Sequence, residues 1–135
     1  MAMAKKSYKG FIIWTIAFLA VSMGSLFLPV ADGRLLTRIY LAICALSVTI
    51  LTLMVYVNGR VYWYNGVDYD EAVSAGVERC KVYAFRHFVR FGICTIIYMV
   101  FTAAMHILNV GILADILMFG AVFLAAAVST IKNKL

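Results

Sequence analysis

From residue 91 to residue 131 the chain is apolar almost without interruption, and this 41-residue run constrains the fold more than any other feature. A helix rises 1.5 Å per residue, so about 20 residues cross the roughly 30 Å of bilayer hydrocarbon. The run is too long for one crossing and right for two. Its only turn-like chemistry is Asn109-Val110-Gly111, which divides it into spans at 91–108 and 112–131.

Two more stretches of this kind precede it, at 11–30 and 35–57, separated by the turn Ala31-Asp32-Gly33-Arg34. Composition agrees: 65% of the 135 residues are hydrophobic and 13% charged, about half the charge of an ordinary soluble domain. That excludes a soluble globule, a disordered chain and a nucleic-acid-binding module. Three lysines ahead of residue 11 also resemble a secretory signal, with Ala20-Val21-Ser22 as a cleavage site. The apolar run outlasts the 7 to 15 residues of a signal core, so a retained helix is expected. The expected architecture is all-α and polytopic. Residues 1–135 form one domain with four transmembrane helices, arranged as two hairpins joined by an amphipathic cytoplasmic connection at 58–90.

Orientation follows from the basic residues. Lys5, Lys6, Lys9, Arg60, Arg79, Lys81, Arg86, Arg90, Lys132 and Lys134 fall on one side of such an arrangement, and only Arg34 and Arg38 on the other. The positive-inside rule then places both termini and the middle loop in the cytoplasm, in a multi-pass protein of the plasma membrane. Tyr56, Tyr62, Trp63 and Tyr64 cluster where an interfacial aromatic belt is expected.

The connection carries a helix start, with Asp68 as N-cap and Glu71 three residues later in a capping-box pattern. From there Val73, Val77, Cys80, Ala84, Phe88 and Phe91 mark one apolar face, and Arg79, Arg86 and Arg90 another. Such a helix suits the membrane interface. Its three arginines are the candidate contacts to an anionic leaflet or to a partner, each worth about 1 kcal/mol near anionic lipid. Gly92 is the expected bend if the helix runs on into the third span.

Small residues let membrane helices approach closely. Ala42, Ala45, Thr49 and Thr52 make such a face on the second span, Ala121, Ala125 and Ser129 on the fourth, and Ala20 with Gly24 a shorter one on the first. The partner is either within the chain or in a second copy, and a homo-oligomer or a membrane partner protein is expected.

At membrane depth an ionisable group is a site candidate by default. His106 and Asp115 flank the outer turn at similar depth, about 5 to 7 Å below it. They make either a proton or ion site or a hydrogen-bonded staple. A bis-histidine haem is excluded, because His87 and His106 are separated by about 28 Å on a straight helix. No cluster with metal-ligand spacing occurs, no cofactor is called for, and the cysteines lack a C-x-x-C pair and read as free thiols. Small four-span families fail at their own motifs: no acid lies in 11–30, as small multidrug transporters need, and Asp115 has no second aspartate, as lipoprotein signal peptidases need. With no nucleophile beside a base, an enzyme is not expected. Two readings stand. One is a non-enzymatic accessory or structural membrane component; the other is a homo-oligomeric small transporter or channel using His106 and Asp115, lined by Ser22, Ser25, Ser47, Thr49, Thr52, Thr95 and Thr102.

Overall fold

The structure, a computed structural model, describes residues 5–64 and 66–135. It contains α1 (Lys9–Ser25), α2 (Gly33–Asn58), a short 3₁₀ turn (Val61–Trp63), α3 (Tyr69–Ala75), α4 (Val77–Ile107) and α5 (Ile112–Ile131), and no strand among the described residues. Helices α2, α4 and α5 are long and apolar enough to cross a membrane. Helix α1 is equally apolar but has 17 residues, a length of about 25 Å.

Large apolar side chains face outward all along these helices. Val100 is 67% exposed and Leu124 66%, which in water would be an aggregation surface and in lipid is the expected one.

Helix α1 ends at Ser25, not at residue 30, and the cause is Pro29. A proline ring collides with the carbonyl four residues earlier in a helix, here that of Ser25. The chain leaves through tight turns, with the Leu28 amide donating to the Ser25 carbonyl. Asp32 then caps α2 by accepting from the Arg34 amide at 2.9 Å. That hydrogen bond, more than the nearby Arg34 charge, holds the Asp32 carboxyl below its usual range. The far end of α2 closes at Gly59, whose φ of 64° is the left-handed cap that glycine adopts without penalty.

The connection at 58–90 is not one helix. It holds the 3₁₀ turn, α3 and the first turns of α4, because Gly76 (φ 83°, ψ 162°) breaks the run. Asp68 has the extended backbone of an N-cap, but its side chain makes no capping bond. Beyond Gly76, α4 runs for 31 residues as one continuous helix that includes Gly92. It is about 46 Å long, more than the roughly 30 Å of bilayer hydrocarbon, and its Lys, Arg and Glu residues all lie in its N-terminal half.

Helix α2 is the hub. It packs on α1, on α5 and most extensively on α4, and α4 packs on α5. The end of the bundle that carries the 3₁₀ turn holds a compact core of Val61, Tyr62, Trp63, Ala72, Cys80 and Ala84, here called the collar. Tyr62 and Trp63 are only 4% and 8% exposed. They are core residues, not the lipid-facing belt their position suggests, because the N-terminal segment around Ser7 folds over them. Ser7 accepts from the Trp63 indole at 3.0 Å and exchanges hydrogen bonds with the Tyr62 hydroxyl. Gly10 lies under the Trp63 ring, where a Cβ would come within 2.6 Å of it.

Candidate functional site

The principal polar site lies at the opposite end, where α4 turns back into α5. Asn109 takes up the left-handed conformation, φ 54°, which asparagine tolerates better than most residues. The Val110 amide reaches back to the Met105 carbonyl at 3.0 Å, leaving the Val110 carbonyl turned toward the bundle.

Asp115, in the first turn of α5, is completely buried, and Arg38 on α2 is 4% exposed. The arginine grips one carboxylate oxygen with two nitrogens, Nε at 3.1 Å and Nη2 at 3.0 Å. Nη2 also donates to the Val110 carbonyl at 2.7 Å. The other carboxylate oxygen accepts from the Thr102 hydroxyl of α4. Three helices and the turn thus meet on one ion pair. The first turn of α5 adds the positive end of its helix dipole, which favours the carboxylate.

His106 and Asp115 share this neighbourhood but no hydrogen bond joins them. Arg38 reaches both, with Nη1 3.4 Å from His106 Nδ1. A guanidinium can only donate, so Nδ1 is the accepting nitrogen, and the contact is long. His106 itself is exposed and sits at the edge of the cluster.

Arg38 is the residue that sequence reasoning missed, by assigning it to the outer loop. A signal was present. Arg38, Ala42, Ala45 and Thr49 recur at spacings of four, three and four, so the arginine belongs to the small-residue face it heads.

That face packs against α4. Ala45 is fully buried, and about three turns toward the collar from Arg38 the hydroxyls of Thr49 and Thr95 meet at 2.7 Å. Thr95 also donates to the Ala45 carbonyl at 3.2 Å. Three further hydroxyls bond within their own helices: Ser22 to the Phe18 carbonyl, Ser25 to the Ser22 carbonyl, and Thr52 to the Thr49 carbonyl. Ser47 contributes its carbonyl, which accepts from the Trp14 indole at 3.1 Å. Ala121, Ala125 and Ser129 behave differently, for all three are exposed on the single chain. Phe119, Phe123 and Ala126 lie on the inward side of α5 instead.

Two of the three interfacial arginines turn toward the C-terminal end of α5. Arg90 donates to the Ser129 carbonyl and Arg79 to the Leu135 carbonyl, complementing the negative end of the helix dipole. Arg86 stays exposed. Cys44, Cys80 and Cys94 are free thiols, and no group of three or more His, Cys, Asp or Glu converges among the described residues. No protein-family model, curated protein or solved structure matches the chain.

Proposed function

We propose that the protein is a non-enzymatic accessory or structural component of the plasma membrane. In this reading it crosses four times as two hairpins, with both termini and residues 58–90 in the cytoplasm against an anionic leaflet. The fourth crossing is α1, which runs antiparallel along α2: Trp14 bonds to Ser47 while the two helix ends adjoin across the turn at Asp32. At 17 residues against 26, α1 is shorter than α2, but its apolar length lies alongside that of α2 and supports a crossing at the same depth. With Arg38 drawn into the bundle, ten basic residues lie toward one side and Arg34 alone toward the other, which supports the orientation, so an epitope at residue 70 stays unreachable from outside intact cells.

One observation carries the functional reading. Both oxygens of the deepest acid are occupied, one by Arg38 and one by Thr102, so the group acts as a fastener between helices. The competing reading, a homo-oligomeric transporter or channel with His106 and Asp115 as a proton or cation site, requires Asp115 to release its arginine first. Freeing a buried partner in that way costs about 3–5 kcal/mol.

Purified protein in sealed vesicles tests this. The expected result is no proton or cation flux above that of empty vesicles. A flux that the wild-type chain supports and a folded Asp115→Asn chain loses overturns the proposal in favour of transport.

A further inference from the structure

At the collar end a cleft of about 440 Å³ opens between α2, α4 and the end of α5, with Tyr64 at its rim. Small-molecule sites usually measure roughly 300 to 1,000 Å³. Its walls are unusually aromatic, with Tyr64, Tyr83, His87 and Phe91 all contributing. Tyr64 stacks on His87 with ring centres 4.7 Å apart, and Tyr83 lies 4.4 Å from the same imidazole. His87 Nδ1 is held at 3.0 Å by the Tyr83 carbonyl, which fixes the ring.

The lining changes character along the helix axes. On α4 the order toward the middle of the bundle is Tyr83, His87, Phe91; on α5 and the residues just past its end it is Asn133, Thr130, Ala127; on α2 it is Thr52, Val48. The polar groups of the lining thus gather toward the collar, interspersed there with Leu51 and Ile131, while the end toward the bundle's centre is apolar. Among the described residues no Asp, Glu, Lys or Arg lines it, so neither an anionic nor a cationic head finds a counter-charge in that lining.

Two hydrogen-bonding groups in the lining are buried without any partner among the described residues, Tyr64 Oη and Asn133 Nδ2. A buried donor left unpaired is costly. The amide nitrogen can only donate and the phenol readily does, so what satisfies both is an acceptor oxygen entering from outside the chain.

We propose that this cleft binds an uncharged amphiphile with a flat, carbonyl-bearing ring as its head and a hydrocarbon tail, the chemistry of a lipid-soluble quinone. The ring lies among the aromatic walls, its carbonyl oxygens accept from Tyr64 and Asn133, and the tail leaves past Val48 and Ala127 toward the apolar end. The proposal asks nothing of the Arg38–Asp115 pair and stands apart from the accessory role.

The test is calorimetric titration of the purified full chain in detergent with decylbenzoquinone. Decanol supplies a tail and a hydroxyl without a carbonyl or a ring, and dioctanoylglycerol supplies ester carbonyls without a ring. Saturable binding of the quinone that both controls fail to match is expected. Tyr64→Phe and Asn133→Ala should each weaken it about three- to tenfold, the worth of one neutral hydrogen bond. Neither should lower the unfolding temperature of the ligand-free protein, since each removes a group that has no partner. Ala127→Trp, which fills the apolar end, should abolish binding. Absence of saturable quinone binding overturns the proposal, as does equal affinity for either control. Wild-type affinity in both the Tyr64→Phe and Asn133→Ala chains also overturns it.

Discussion

The two ends of this small bundle are held together by different physics. At the collar, Val61, Tyr62, Trp63 and Ala72 are stripped of solvent and packed as in any water-soluble core. At the other end the contact is an ion pair, Arg38 with Asp115, fastened to a threonine and a turn carbonyl. Apolar burial drives association only where water is the alternative environment. Between helices already surrounded by lipid that drive is gone, and polar contacts and close packing of small residues replace it. The aromatic core is where it is because those residues project beyond the hydrocarbon in the proposed topology, and the fasteners are where they are because nothing else would hold the helices in register.

The sharpest way to break this comparison is at the ion pair. Arg38→Leu or Asp115→Leu alone leaves an uncompensated buried charge and should destabilise the bundle by about 3–5 kcal/mol, read by thermal unfolding in detergent. The double variant should recover most of that loss, since two apolar groups need no partner. A double variant as unstable as the singles would mean that the pair stabilises by more than mutual neutralisation.

At the collar, Gly10→Val drives a side chain into the Trp63 ring and should cost about 1–3 kcal/mol. Hydrogen exchange in urea should show this variant opening at the collar while the Thr102 and Asp115 region stays protected. Simultaneous loss of protection at both ends would show that the two regions are one cooperative unit.

A smaller effect is expected midway. Thr49→Val removes one hydroxyl of the 2.7 Å pair with Thr95 and should cost about 0.6–2 kcal/mol, read by the same unfolding assay. The smallest belongs to the exposed cap at Asp32. Its carboxyl titrates below the ordinary value near 4 because the Arg34 amide donates to it. A depressed folded-state pKa means the stabilisation is present above that ordinary value and is lost as the pH falls through the depressed one. Asp32→Ala should therefore lower the unfolding temperature slightly at pH 7, and the difference from wild type should vanish in strong acid.

Much of the fold was legible because apolar length is a one-dimensional property. The expected spans at 35–57 and 112–131 lie close to α2 and α5. The expected break at Asn109 is the left-handed turn. Elsewhere local chemistry misled. Asp68 and Glu71 have the spacing of a capping box, yet no side-chain cap forms, and Gly76 interrupts the helix expected to run on from Asp68. Tyr62 and Trp63 have the composition of a lipid-facing belt, but only the fold brings Ser7 across them.

The site divides the same way. His106 and Asp115 were recognisable as polar groups at depth, and their neighbourhood follows from the tight turn between them. Their relation does not, because Arg38 approaches from a helix 77 residues away in sequence from Asp115. Hydropathy, charge and turn residues are carried by each segment on its own, so the chain alone determined an all-helical architecture with long apolar helices and polar residues beside the turn. Which oxygen meets which nitrogen depends on how α2 is rotated against α4 and α5. Only the packed structure decided that, because the pairing is a property of three helices together and of none of them singly.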